Sequence, residues 1–417
     1  MLVGPIKSKR LLVYLKILIS TAVGKTIRYS VIIHRYLGIV FGFVILLWCM
    51  SGFVMMFVQY PSLNSEERLG YMAPLDLSLC CEVPKTSLIN QSQFESFVME
   101  QRPYGPQLKL NFEDEVRRFD ASTGALITGS SREARSIYAN KIATTAEAGP
   151  ARSLGQVEIN QWSLIPKVAK YAPFEIFELN DSEKTHLYFS TVTGELVQQV
   201  SFTERTWGWV GAVVHWIYPT VIRSNTKLWV QLVIWLSVVS LFMVVVGAIL
   251  GIVRLRHRGR WRKSPYRGRF FWHHYTSLFT GVLMLTWLFS GLMSMYPWGL
   301  MEGRNFDKEI RNLRGSGFYP IPEVQNWLKN INRVDIPDET VKLRGVMVAG
   351  YLNVFTTNIQ NETKLLKRIA VDKAAHTFPS PDQLAERMRP EIKVISCLLY
   401  TSPSPRDLST SRMPSSA

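Results

Sequence analysis

Three stretches of this chain carry no charged side chain. No Asp, Glu, Lys or Arg occurs from Tyr36 to Ser65, from Leu228 to Val253, or from Phe270 to Met301. Each can supply the roughly 20 apolar residues that a bilayer-spanning helix needs. A helix buried in a water-soluble core rarely runs so long without charge. The pattern predicts membrane helices over 31–58, 227–253 and 270–298. Between and after them, 59–205 and 299–396 break into short mixed runs separated by turn residues. FDASTGALI (119–127) and FSTVTGELV (189–197) each place a Thr-Gly turn between β-rich runs, which fits a hairpin. Gln93–Gln101 and Ser380–Met388 are predicted helical. These segments predict α+β domains.

Charge orients the helices. The chain has 417 residues, 47% of them hydrophobic, and a formal charge of +16. Residues 1–30 hold Lys7, Lys9, Arg10, Lys16, Lys25 and Arg28 without an acid. Residues 254–269 hold Arg254, Arg256, Arg258, Arg260, Arg262, Lys263, Arg267 and Arg269, again without one. Short basic segments beside membrane helices face the cytoplasm. The N-terminus is then inside, and 59–205 and 299–396 are outside. Sixteen residues between two spans leave little room for nucleic acid, so the partner implied is the lipid bilayer and its anionic headgroups. Segment 11–23, interrupted by Lys16, is too short to span. It is expected to be a surface helix or the product of an upstream start codon.

The chain also repeats itself. A shift of 239 residues lays HRYLGIVFGFVILLWCMSGFVMM (from His34) on HHYTSLFTGVLMLTWLFSGLMSM (from His273). The identities are His34/His273, Tyr36/Tyr275, Gly42/Gly281, Leu46/Leu285, Trp48/Trp287, Ser51/Ser290, Gly52/Gly291 and Met56/Met295. Both copies start on the same side, which makes this a parallel repeat about an axis along the membrane normal. The fold class expected is therefore an integral membrane protein, mainly α-helical. Its unit, repeated in tandem, is a membrane helix, an extracytoplasmic α+β domain and a second membrane helix. Segment 206–226 is an aromatic, amphipathic stretch at the outer interface. The counterpart of His215 falls near position 454, so the repeat predicts a fourth helix, missing from this sequence. Cys397–Ala417, rich in Ser and Pro and without periodicity, resembles the translation of a sequencing-library adapter and is set apart from the fold. Of the remaining cysteines, Cys49 and the adjacent Cys80 and Cys81, none suggests a disulfide framework or metal spacing.

Ionisable residues in a membrane segment suggest function. The bland alternative for His34 and His273 is a snorkelling position at the interface. The repeat favours a ligand role, because an interface requires no particular residue type. Gly38 lies one turn above His34, and Gly52 returns to the same face about 27 Å up. Such small residues serve either close helix packing or room for a flat macrocycle. Zinc wants four ligands, or three and water, and no carboxylate or thiol lies at that depth. A haem iron takes four bonds from its porphyrin, so two axial histidines suffice. His34 and His273 suit one haem on the cytoplasmic side, with His274 as a reserve ligand pointing about 100° away. His215, in WGWVGAVVHWIYPTVIR, is either an aromatic-belt residue or a ligand of a second, outer haem. His186, alone in the strand HLYFS, reads as an ordinary surface residue.

These residues resemble the PepSY-associated transmembrane helix family, which includes iron-regulated membrane proteins and ferric-siderophore reductases. The likeness is carried by HRYLGIVFGFVILLWCMSG, by SPYRGRFFWHH leading into the third helix, by its closing Ser290-Gly291, and by the Thr-Gly strands. It covers about residues 25–396. It implies four helices, b-type haem (two in a full-length protein) held by histidines, and reduction of ferric siderophores at the bacterial inner membrane. With no Rossmann glycine pattern and no cytoplasmic domain, the donor expected is a quinol or a separate protein. Two other readings stand beside this reductase. One is a PepSY-type anchor that binds or regulates without redox activity. The other is a transporter, although the broken helices and midplane charges usual there are absent from these spans.

Overall fold

The computed structural model describes residues 6–78, 80–82, 93–94, 96–102, 105–112, 116–257, 260–261, 263–300, 307–314, 319–320, 326–327, 330–331, 336–370 and 378–388. The segment set apart at 397–417 lies outside them. The principal helices are α1 (Ile6–Met55), α2 (Ser65–Gly70), α3 (Arg132–Thr145), α4 (Phe202–Gly208), α5 (Thr226–Leu255), α6 (Arg269–Ser294) and α7 (Pro381–Met388). The longer strands are β1 (Ser96–Arg102), β2 (Gly105–Asn111), β3 (Val116–Asp120), β4 (Gly149–Val157), β5 (Phe174–Asn180), β6 (His186–Ser190), β7 (Leu196–Val200), β8 (Lys342–Val348), β9 (Tyr351–Thr357) and β10 (Thr363–Ala370). The fold is thus mixed α+β rather than mainly helical.

The chain divides into two compact units. The first takes the described residues up to Pro61, 159–169 and 200–303. It contains three helices long and apolar enough to cross a membrane: Thr21–Met55 within α1, α5 and α6. Segment 11–23 is helical and continuous with the span that follows, because α1 runs without interruption from Ile6 to Met55. Nothing in ILISTAVGKTIRYS stops it. It contains no proline, and the lone Gly24 costs an interior helix only about 1 kcal/mol. The interfacial stretch 206–226 folds as the end of α4, a π-helical turn at Trp209–Val213 and a helical turn at Thr220–Arg223.

The second unit takes 62–158, 170–199 and the described residues from 304 on. It holds two antiparallel sheets, in order β10-β9-β8-β1-β2-β3 and β4-β5-β6-β7. Two sequence expectations change here. Gln93–Gln101 is not helical, since Ser96–Arg102 is strand β1. Its period is two: Phe97 and Met99 enter an apolar core while Val98 and Glu100 take the other face. The segments on either side of the membrane helices also do not each close their own domain. Strand β8 pairs with β1, Lys342 opposite Glu100 and Gly345 opposite Phe97. An added Cβ on Gly345 would lie 2.0 Å from the Phe97 ring, so glycine there lets the ring lie across the neighbouring strand. In the smaller sheet, Tyr138, Ile142 and Ala143 of α3 pack on Phe177, Leu187 and Phe189. Helix α7 falls where the sequence places it. Cys80 and Cys81 are joined as a vicinal disulfide.

Both Thr-Gly segments form the expected turns, and they share one hydrogen-bond plan. Gly124 N–H donates to Asp120 O and Gly194 N–H to Ser190 O, each at 2.8 Å. Thr123 Oγ1 accepts from Ala125 N–H and Thr193 Oγ1 from Glu195 N–H. Gly124 (φ 67°) and Gly194 (φ 68°) sit in the left-handed region, which is why glycine follows the threonine.

A buried charge network lies in this unit. Glu100, 1% exposed, accepts from Arg68 (3.0 Å), Arg102 (2.9 Å) and Lys109 (2.8 Å), with Lys342 at 3.8 Å. Arg102 and Lys109 also pair with Glu195. Burial pushes the Glu195 carboxyl up, but Lys109 and Arg102 outweigh it and hold the carboxyl at about 2, against its ordinary 4.5. A group depressed in the folded state stabilises fully above its unfolded value and loses that contribution as protons bind. Urea unfolding of the full chain in detergent should therefore show stability falling between pH 4.5 and about 2, with Glu195→Gln flattening that fall. An equally steep fall in the variant would assign it to other carboxyls.

Candidate functional site

In the first unit, His34 and His273 meet. His34 lies on α1 and reaches α5, where its Nδ1–H donates to Met243 O at 3.3 Å. Gly247 lies one turn further along α5. A Cβ there would stand 2.5 Å from His34 Cε1, so the imidazole occupies the volume a side chain would need. On α6, His273 places its ring centroid 6.4 Å from that of His34, the planes inclined by 40°. The donor role at Nδ1 follows from the acceptor it faces, because a carbonyl can only accept. The neutral His34 ring then carries a lone pair on Nε2, the form a metal binds. His273 has no hydrogen-bond partner among the described residues.

A second histidine environment repeats this pattern. The π-helical turn lies against α1 through Gly211, whose position leaves 3.2 Å between an added Cβ and Val54 Cγ1. That contact delivers His215 to α1. Its Nδ1–H donates to Trp48 O at 3.0 Å, and its ring stacks on Trp48 with centroids 5.1 Å apart and planes 14° apart. Gly52 makes room, since a Cβ there would come within 2.8 Å of His215 Cε1. The face of α1 that carries His34 near the helix middle thus receives His215 near its C-terminal end.

Two residues aligned by the sequence repeat make like bonds, of a kind that Ser277, Thr286 and Ser294 also make. Ser51 Oγ–H donates to Trp48 O at 2.9 Å, and Ser290 Oγ–H donates to Trp287 O at 3.0 Å. Gly291, the counterpart of Gly52, has open space where its Cβ would be. It faces a cavity of about 630 Å³, lined among others by Trp48, His215, Trp229, Ser240 and Trp287. That volume lies within the ~300–1,000 Å³ of pockets that enclose small molecules and cofactors.

The other two histidines have different surroundings. Buried His274 has both nitrogens engaged: Nδ1 accepts from Ser264 Oγ–H at 2.7 Å and Nε2–H donates to Gly251 O at 2.9 Å. For His274 to serve as a reserve ligand, a metal would have to displace one of these two hydrogen bonds. His186 Nε2 lies 3.4 Å from Glu178 Oε2. Among the described residues no three His, Cys, Asp or Glu side chains gather as a metal site. No protein family, curated protein or solved structure matches the chain. The chemistry of the site therefore rests on its own geometry.

The spacing of the two rings leaves room for one metal between them. Nitrogens on opposite sides of a metal, each at ~2.0–2.1 Å, stand about 4 Å apart, and the ring centroids roughly 2 Å further apart again. The observed 6.4 Å between centroids agrees. Sequence reasoning missed the carbonyls of Met243 and Trp48 and the clearance at Gly247. Backbone acceptors leave no mark in a sequence. A glycine inside VVVGAILG reads equally well as a helix-packing residue.

Proposed function

We propose that this chain is a haem-binding redox protein of the bacterial inner membrane, its N-terminus cytoplasmic. His34 and His273 would hold one haem, and His215 would supply a ligand to a second. The observation that carries this reading is the histidine pair at 6.4 Å. Its support is the bond from His34 Nδ1–H to Met243 O, which fixes the ring and leaves Nε2 for the metal. His215 has the same kind of anchor at Trp48 O. When bound, a b-type haem supplies a one-electron couple. The residues here anchor the His34 and His215 imidazoles through backbone carbonyls and clear space for them at Gly247 and Gly52. The reaction proposed is reduction of ferric iron, as in a ferric siderophore, with electrons from a quinol or a separate donor protein.

The direct test is an absorption spectrum of the purified protein, oxidised and dithionite-reduced. A Soret band that shifts on reduction is expected, and its absence would leave an anchor or regulatory protein as the better reading. Gly247→Ala gives a finer test. The new methyl group must displace His34, so haem content should fall on the order of 10–100-fold in affinity, as for other changes that disturb a ligand's orientation. Gly281→Ala is the matched control, because nothing lies within 4 Å of that position. Equal haem content in the two variants would separate Gly247 from the site.

A further inference from the structure

The second unit contains a cavity of about 470 Å³ whose walls are unlike those of the membrane unit. Strand β8 reads Lys342-Leu-Arg344-Gly-Val346-Met-Val348. Its period of two turns Leu343 and Met347 to the apolar core and places Lys342, Arg344, Val346 and Val348 on the opposite face. Phe355 and Thr357, their neighbours on β9, stand opposite Arg344 and Lys342. Helix α2 closes the space with Ser65, Arg68 and Leu69. A capping box between Asn64 and Glu67 fixes where that helix begins.

The charges around this cavity do not balance. Glu100 is shared by Arg68, Arg102, Lys109 and Lys342. Glu195 is shared by Arg102 and Lys109, with Arg118 at 3.9 Å. Arg344 has no carboxylate within ion-pair distance among the described residues. Two buried carboxylates thus serve five cations, of which Arg68 and Lys342 line the cavity beside Arg344, which is exposed and, among the described residues, unpaired. Arg68 and Lys342 are also largely shielded, their side chains 28% and 24% exposed. Cations withdrawn from water without enough counter-charge are costly, and an anion with oxygens to share among them lowers that cost. Burial presses Lys342 towards its neutral form against the pull of Glu100, so a second anion beside it would hold its proton. The Ser65 hydroxyl adds a neutral donor, and the Thr357–Thr363 pair, bonded to each other at 3.2 Å, leaves one more.

The geometry points to a binding site for a small organic anion, a carboxylate with an apolar body. Its oxygens meet Arg344, Lys342 and Arg68, and its body lies on Val346, Val348 and Phe355. The apolar wall favours such a ligand over bare phosphate, which would leave that wall wet. This site stands independently of the haem reading, since it shares no residue with the histidines.

Calorimetric titration of the full chain in detergent at low salt, with phthalate as probe, tests it. Binding is expected for phthalate and not for its neutral dimethyl ester, and added salt should weaken it. Arg344→Gln should lower the affinity roughly tenfold, the usual cost of one charge-assisted hydrogen bond, and Lys342→Met should lower it as well. Lys364→Gln, on the exposed strand β10 and outside the cavity, should leave it unchanged. No heat at millimolar phthalate, equal binding of the ester, or full affinity in Arg344→Gln would each overturn the proposal.

Discussion

Purified His34→Ala protein should lose one haem, and His273→Ala should lose the same one. The two rings are 6.4 Å apart and belong to different helices, so neither can hold a bis-histidine iron alone. Changes that only disturb a ligand's orientation cost about 10–100-fold in metal affinity, and removing the ligand itself costs more. His215→Ala should spare that haem, because its ring is anchored to Trp48 O and belongs to the other site. Reduced-minus-oxidised spectra of the three variants, scaled to protein concentration, separate these outcomes. If His34→Ala keeps its full spectrum, the pair does not ligate iron and its proximity reflects helix packing alone. His274→Ala supplies a further contrast. Both of its nitrogens bond within the protein, so the spectrum should persist while stability falls.

Glu100→Gln should be the most damaging single change to the sheet unit. Burial pushes the Glu100 carboxyl up, but Lys109, Arg102, Arg68 and Lys342 outweigh this and hold it well below the ordinary range. The amide would keep the shape and remove the charge. Breaking a buried ion network by deleting one partner typically costs about 3–5 kcal/mol, because the remaining charges stay buried without compensation. The loss falls at the high end if Glu195 cannot serve the same cations. Glu195 already pairs with Arg102 and Lys109, whereas Arg68 and Lys342 depend on Glu100. Chemical unfolding followed by tryptophan fluorescence reads the effect. A loss below ~1 kcal/mol, the range of solvent-exposed pairs, would mean that water reaches these cations in the folded state.

The three helices long and apolar enough to cross a membrane were legible because charge is excluded from them over long runs, a signal that tertiary context rarely overrides. The Thr-Gly turns were legible because the left-handed backbone demands glycine and the threonine hydroxyl completes the turn. The histidine pair became legible only through the repeat, since His34 alone reads equally well as an interface residue. Other features were hidden for definite reasons. Phe-Val-Met-Glu-Gln at 97–101 suits either a helix or a strand, and the choice depends on β8, which lies far away in sequence. The engagement of His274 depends on Ser264 and on a carbonyl of another helix, and a hydrogen bond to a carbonyl leaves no side-chain trace. Arg68, Lys342 and Arg344 are ordinary surface types in sequence, and only the register of β8 with β1 and the placement of α2 gather them.

The pairing of β8 with β1 also sets a timetable. Ser96–Arg102 and Lys342–Val348 are adjacent in the sheet yet are made far apart in time. At about 5–20 residues per second, roughly 12–50 s of synthesis separate them. During that interval β1 and β2 can form a hairpin, but the other edge of β1 stays bare, with Phe97 and Met99 uncovered on one face. Sheets whose neighbours come from distant segments fold slowly and expose such edges while they wait. The newborn protein therefore carries this bare edge until β8 is made, after all three long apolar helices, and a chaperone that shields strand edges is expected to raise its yield.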